Sequence, residues 1–445
     1  MKTINLKYIV MMAFGASMML PLSSCEEALE ALPLEYKEDP KFSVPTLQES
    51  WKLEEMNNAT DNGYVYAYKD KLYDEMFTRT HGWNGGDGVQ TTLLPGGNLF
   101  WTFNDSFYGV VEAETRARKS CSFPRNTIMV QTANGEGRPG DSADNLMWLA
   151  DFVQTDNPNA ERYYHARTHL RHPNAAMSDA DIQRGEIDQD YVYWAGDGTV
   201  VDGKLQQLWN GVYTGDGNMT GLGTALAIYN LDGKPGDENY LKIESVNHNF
   251  FEANPYSIGQ TMWEDEDGHT YLYGSYQQSF VSYPIVARSK THDLNSGIEY
   301  YVIDNNGEYV WSDTYPTADF IYTITNTSLS MPWVFKKGDY YYMTGQAYPF
   351  GKQMYILRSK TPYGPFEDCQ NLFVLPSELD KIGVQTYRFV YMVHLHMGLS
   401  REGELVFSTN TDIDDFWGNF NAEGSADFYR PFFYRVYKWE NLFEE

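Results

Sequence analysis

A chain of 445 residues with 61 acidic and 33 basic side chains, formal net charge −28, is long enough for a large core and too acidic to seek nucleic acid. Aromatic residues are 16% of it, Tyr alone 35 positions, and no long helical periodicity runs through it, so the fold class read from it is all-β. It has three cysteines, and a chain of this size does not need a disulfide to hold its core, so a pairing of Cys121 with Cys369 stays open.

The chain starts with Lys2 and Lys7, an apolar run from Tyr8 to about Leu20, then Leu22, Ser23, Ser24 and Cys25. This is an export signal over 1–24, too short and wrongly flanked for a spanning helix. Its ending resembles the lipobox of bacterial lipoproteins, which implies lipid on Cys25. Glu26, Glu27 and Glu30 resemble the surface-export signal of Bacteroidetes lipoproteins. The expectation is therefore a lipid-anchored protein of the outer membrane or cell surface. Loss of the leader removes two lysines and no acid, which favours a neutral or cationic substrate over a polyanion. The acidic, Pro-punctuated stretch 25–47 reads as a tether, and 48–445 as the domain.

GYVYAY, from Gly63, reads as a strand. Gly82 to Gly109 then reads as a β-hairpin in which Val89 to Leu94 and Leu99 to Phe103 flank the turn Pro95, Gly96, Gly97. A loop of three residues at 95–97 places Asp87 opposite Asp105 on one face, at the open end of the hairpin. A two-residue loop would instead send the acids to opposite faces. Two carboxyls held close among aromatics such as Trp83, Trp101 and Tyr108 are what cleavage of a glycosidic bond requires.

A Gly turn followed by an aromatic-rich strand recurs at Gly97, Gly203, Gly268, Gly338 and Gly403. Each copy has a candidate inner strand before it and a β-rich run after it, the signature of propeller blades. The reading is a five-bladed β-propeller with an insertion after blade one, at about 133–189. The last repeat lacks a fourth strand after Lys438, and the segment near Gly63 to Tyr68 could supply it and close the ring. GEGRPG at Gly135 to Gly140 has no strand and helix around it and is not a dinucleotide fingerprint. His165, His169 and His172 in the insertion match no established metal spacing.

Inner strands are expected to begin near Asp87, Asp197, Ile258 to Gln260, Asn326 to Ser328, and His394 to His396, so their first residues should converge near the axis. Asp197 repeats the Gly-Asp-Gly spelling around Asp87 and is a third acid to follow. His394 and His396 alternate and face one side of a strand. No HExxH, CxxC or GxSxG occurs, so zinc chemistry and serine hydrolysis have no motif.

GGDGVQTTLLPGGNLFWTFNDSF, FPRNTIMVQ, YWAGDGTVVDGK, YLYGS with YPIVARS, HLHMGLSREGELVFSTN and YRPFF resemble, in this order, the motifs of the five-bladed propeller family that contains bacterial endo-D-arabinanases. They are also similar to related Bacteroidetes lipoproteins of unknown function. The resemblance implies a glycoside hydrolase whose paired acids are Asp87 and Asp105. It departs at Asn104, Asp105, Ser106, where the family has Gly-Asp-Thr, and at His396, Met397, Gly398, where a family glutamate is missing.

The expectation is a surface glycoside hydrolase acting on a poly- or oligosaccharide such as an arabinan, with Asp87 and Asp105 as acid and nucleophile or base. Asp197 is the third acid, and Trp83, Trp101, Asn126, Tyr193, Trp194, His394 and His396 are candidates for holding substrate. No cofactor is implied, and an axial calcium ion stays open. The competing expectation is a lipoprotein that binds glycan without cutting it.

Overall fold

The computed structural model describes residues 53–55, 65–155, 164–188, 190–215, 217, 219–253, 256–376, 379 and 381–443. The export signal, Cys25, the tether and Gly63 lie outside these residues. The described chain is all-β, with two short helices, Lys71–Met76 and Asp179–Gln183.

Among the described residues five sheets have four or more strands, all paired antiparallel to their neighbours. The first runs Gln90–Leu93, Leu99–Phe103, Thr127–Gln131, Leu146–Leu149, and the second Tyr191–Val201, Lys204–Tyr213, Thr220–Asn230, Ile243–Phe251. The third adds a fifth strand, in the order Tyr256–Glu264, Thr270–Gln278, Val281–Ser289, Ile298–Ile303, Tyr309–Ser312. The fourth is Leu329–Lys337, Tyr340–Ala347, Gln353–Ser359, Glu367–Val374. The last joins Gln385–Leu395, Glu404–Ile413 and Pro431–Tyr437 to Tyr66–Asp70 from the start of the chain. That early strand lies where the missing fourth strand was expected.

Leu146–Leu149 is the fourth strand of the first sheet, although it lies within the stretch read as insertion. After it come a small hairpin, Phe152–Gln154 with Tyr164–Ala166, and the second short helix. In that stretch His165 bonds Ile182 O at 2.8 Å and His169 bonds the Tyr229 hydroxyl at 3.0 Å.

The sheets are joined head to tail. Gln90 Nε2 donates to Ala195 O at 3.2 Å, Met262 N–H to Asp197 Oδ2 at 2.7 Å, Thr261 Oγ1 to Pro332 O at 2.5 Å and Gln346 Nε2 to Val390 O at 3.0 Å. His394 Nδ1 to Val89 O then returns to the first sheet. The arrangement is propeller-like, and the bonds close it into a ring.

Between neighbouring sheets the core is aromatic. Phe77 touches Trp83, Trp101, Phe103, Trp148 and Phe433, and Trp83 stacks on Trp148 with centroids 4.5 Å apart. Each such ring taken from water contributes about 1.5–3 kcal/mol.

The seam between the two ends of the chain is ionic. Arg435 pairs with Asp70 at 2.5 Å and with Glu404, and all three side chains are at most 1% exposed. Asp70 also accepts from Tyr73 N–H at 3.1 Å, capping the first helix. Removing one partner leaves a buried charge uncompensated, which costs about 3–5 kcal/mol. Asp70→Ala should therefore lose about that much stability in urea titrations, and a loss under 1 kcal/mol would show that Arg435 and Glu404 hold the seam without it.

Candidate active site

The hairpin register is the expected one. Gln90 faces Thr102, Thr91 faces Trp101 and Leu93 faces Leu99 across the turn Pro95–Gly97. Beyond Gln90 the backbone bends. Asp87 N–H donates to Asp105 O at 3.2 Å and Asn104 N–H to Asp87 O at 2.8 Å, so the two acids remain neighbours. Gly88 makes the bend with φ +57°, and a Cβ there would lie 1.9 Å from Asn104 Nδ2. Only glycine fits that position.

The open end expected of the hairpin is not open. His81–Gly86 pairs with Ser106–Val111, which pairs with Arg118–Ser122, and this separate three-stranded sheet continues past the acids. Asp87 and Asp105 therefore sit at a break between two sheets, each 7% exposed. The Gly-rich spelling HGWNGG concealed the strand.

Asp87 Oδ2 accepts from the hydroxyls of Tyr391 at 2.8 Å and Tyr429 at 3.1 Å. Its Oδ1 is buried without a partner among the described residues. Burial, and then the charge of Asp105, push the Asp87 carboxyl up to about 8, against the pull of the two tyrosine hydrogen bonds. Asp412, 2% exposed and bonded by Asn419 Nδ2 at 2.8 Å, adds to the push. Asp87 thus carries a proton at neutral pH.

Asp105 is held differently. Arg125 grips it with Nε at 2.6 Å from Oδ1 and Nη2 at 3.1 Å from Oδ2, and Trp194 Nε1 adds a bond to Oδ1 at 3.3 Å. Burial works against the Arg125 charge, but Asp105 outweighs it and raises the guanidinium above its usual range. The segment after the small hairpin positions this arginine, since Arg125 Nη1 donates to Asp188 O at 2.7 Å and Arg125 N–H to Thr168 Oγ1 at 3.0 Å. Two adjacent carboxyls are thereby differentiated, one neutral and one paired with a cation. That is the division acid–base chemistry needs.

The other sequence candidates are spread around this pair. Asp197 accepts from Gly198 N–H on Oδ1 at 2.8 Å and from Met262 N–H on Oδ2 at 2.7 Å, and burial raises it to about 7. It joins the second sheet to the third. Trp83 and Trp101 are fully buried, with indole N–H groups on Ser106 Oγ at 3.4 Å and Gln131 Oε1 at 3.0 Å, so neither offers a face to a sugar. Asn126 is spent on Leu170 and Tyr193 backbone carbonyls at 2.9 and 2.8 Å. Tyr193 is buried, its hydroxyl 2.9 Å from His248 Nδ1. Trp194, half-buried, is the one aromatic candidate that touches an acid of the pair.

His394 and His396 lie at the far end of Gln385–Leu395 rather than at its start. His394 donates to Val89 O, and burial pushes it down to about 4. His396 bonds Thr91 Oγ1 at 3.0 Å and Ser408 Oγ at 2.8 Å, and burial, with His394 and Arg435, holds it well below its ordinary value. Both rings are neutral links between the last sheet and the first. Among the described residues no group of three His, Cys, Asp or Glu side chains is disposed to hold a metal ion.

The family model described as Domain of unknown function (DUF5005) matches residues 70–439. The chain belongs to the DUF5005 family. This DUF5005 chain is similar to a solved protein of Bacteroides ovatus ATCC 8483, described provisionally as a hydrolase, with 54% identity over 91% of this chain and 98% of that one and a TM-score of 0.82. Fainter likenesses include a GH43 β-xylosidase/α-arabinofuranosidase from a compost metagenome, 12% identical over 80% and 91% of the two chains, TM-score 0.38. Another is an exo-1,5-α-L-arabinanase from a bovine ruminal metagenome, 12% identical over 74% and 89%, TM-score 0.34. At those scores neither bears on the site. No curated protein matches the sequence.

The Asp87 proton links site and stability. Asp87 keeps its proton to about pH 8 in the fold but only to about pH 4 when unfolded. Its contribution is complete below about pH 4 and is lost as the pH rises toward 8. The fall in melting temperature between about pH 5 and 8 should be shallower in Asp87→Asn than in wild type, and equal slopes would exclude a buried proton on Asp87.

Proposed function

We propose that this DUF5005 protein is a glycoside hydrolase built on a five-bladed propeller, exported, lipid-anchored through Cys25 at the outer membrane or cell surface, and acting on a glycan of the arabinan type. The observation that carries the reading is the split acid pair. Asp87 is neutral with Oδ1 uncommitted, while Asp105 lies beside it in a bidentate pair with Arg125. The provisional description of the Bacteroides ovatus relative as a hydrolase supports it.

In this mechanism Asp87 gives its proton to the glycosidic oxygen as the bond to the leaving sugar lengthens. Tyr391 and Tyr429, donating to Oδ2, stabilise the carboxylate this leaves behind. Asp105 faces the positive charge that develops on the sugar ring. A carboxylate has about four acceptor sites, and Arg125 and Trp194 take three of those on Asp105. The remaining one, on Oδ2, suits a water as nucleophile, with Asp105 as its base.

A second reading, glycan binding without cleavage, draws on the enclosure of Asp87 Oδ1. One set of measurements separates the two. Reducing-sugar release from arabinans, xylans and other glycans should be measured for wild type, Asp87→Asn, Asp105→Asn and the double variant. Each single change should lower kcat/KM by about 100-fold or more, and the double should be little worse, because the two act as a unit. Near wild-type activity in Asp105→Asn sinks the mechanism, and no release by wild type on any glycan favours the binding reading.

The anchor is checked separately. Wild type should incorporate radioactive fatty acid and partition with membranes, and Cys25→Ala should do neither. Full membrane partition of the variant would refute the lipid assignment.

A further inference from the structure

The third sheet differs from the first, second and fourth by one strand, Tyr309–Ser312. That strand pairs with Ile298–Ile303 so that Trp311 faces Tyr301 and Tyr309 faces Ile303. Residues two apart share a face, and directly opposed residues share it across the strands. The added strand therefore lays Tyr309, Trp311 and Tyr301 side by side at the outer edge of the sheet, remote in sequence from the acid pair.

Two further rings complete the cluster. Tyr301 lies 4.8 Å from Trp311, 5.4 Å from Tyr322 and 4.9 Å from Tyr363, and Tyr309 lies 4.6 Å from Tyr322, all between centroids. Tyr309 is 56% exposed, and the other four rings are half-buried. Burial and the hydroxyls around them push the phenols of Tyr301 and Tyr322 up, and neither phenol has a hydrogen-bonding partner among the described residues. The cluster thus offers both ring faces and free hydroxyls to whatever covers it.

Its cations are already engaged. Arg288 lies 4.1 Å over Trp311 and pairs with Glu299 at 2.9 Å, and Lys290 pairs with Asp313 at 2.6 Å. Both of these cations are thus paired with carboxylates, which disfavours a polyanion, and a net charge of −28 disfavours a second copy of the chain. Two contacts are nearly edge-on, 85° for Tyr301 with Tyr322 and 84° for Trp311 with Tyr363, and the others are tilted at 36° to 55°, so the rings form a shelf of rings and hydroxyls rather than parallel slots.

We infer that this shelf is an accessory binding surface for an uncharged polysaccharide, separate from the acid pair, which keeps the protein on its insoluble substrate; the choice of glycan rests on the function proposed above. Sugar C–H faces pack on the rings while sugar hydroxyls meet the phenols.

The test uses the full chain carrying Asp87→Asn, so that the glycan is not consumed, and measures depletion onto insoluble arabinan and insoluble xylan. Tyr309→Ser and Trp311→Ala should each weaken retention about 3- to 10-fold. In the wild-type background both should leave hydrolysis of a small soluble chromogenic glycoside unchanged. Tyr309→Ser changes an exposed tip, so its melting temperature should equal that of the parent and the result does not depend on refolding. Equal retention of parent and variants overturns the inference, as does a surface that holds proline-rich peptides and no glycan. Patch-dependent retention with no cleavage by wild type leaves the surface standing and removes only the hydrolase.

Discussion

The structure depends on the way each inner strand gives up part of its own hydrogen bonding. The first strands of the second, third, fourth and last sheets all break register part-way, at Ala195/Gly198, Ile258/Thr261, Ser330/Trp333 and Tyr391/His394. A bulge leaves backbone groups unpaired and turns side chains out of the plane. Buried groups of this kind have to be satisfied elsewhere. The neighbouring sheet does it, since Val89 O, Ala195 O and Pro332 O accept from His394, Gln90 and Thr261 respectively. The bulges at Ala195 and Pro332 thus supply two of the acceptors that join the sheets. Met331 and Met392 pass through them at φ +51° and +52°, a conformation that costs a non-glycine residue about 1–3 kcal/mol and persists only where its surroundings enforce it.

The same device builds the acid pair. Tyr391 is the last residue before its bulge, and Asp87 the last before Gly88, so adjacent sheets bring a hydroxyl and a carboxyl together. Tyr429 comes from the segment between Glu404–Ile413 and Pro431–Tyr437. Arg118 fixes that segment, donating to Asn419 O at 3.0 Å, Ser425 O at 2.8 Å and Phe428 O at 3.2 Å while its Nε holds Asn84. Arg118 is fully buried over the Phe107 ring, and desolvation pulls it down to about 10. A buried cation satisfied by carbonyls leaves the carboxylates free for the site. Arg125 pairs with Asp105, and Asp87, pushed by its burial and by the charges of Asp105 and Asp412, keeps its proton.

What the sequence disclosed was local. A Pro-Gly-Gly turn sets the hairpin register, and aromatic strands after glycine turns mark the sheets, because both effects act within a few residues. Arg125, Tyr391, Tyr429 and Asp412 were missed, since their partnership with the pair spans up to 342 positions and leaves no spacing to read. Asp197 shows the limit from the other side. It shares its Gly-Asp-Gly spelling with Asp87, yet a bulge that turns its oxygens onto two backbone N–H groups makes it a joint. Trp83 and Trp101 were read as aromatic neighbours of the acids from proximity in sequence, but both rings are fully buried in the aromatic core with Phe77 and Phe103.

Burial gives those two rings a bracing part in the fold. Trp83 donates to Ser106 Oγ, which bonds Thr127 Oγ1 at 2.9 Å and donates to Asn104 O at 2.9 Å, so the indole braces the backbone that carries Asp105. Trp101, stacked against Phe103 and 5.4 Å from His396, does the same for the hairpin and the last sheet. Asp87 is itself enclosed, and that burial disfavours its charge. The energy that dry packing gains along the hairpin is partly given back in holding an uncommitted carboxyl oxygen inside it. A fold selected for stability alone would carry an apolar residue at that point, and the presence of Asp87 there is the physical reason to look for function at this break between two sheets.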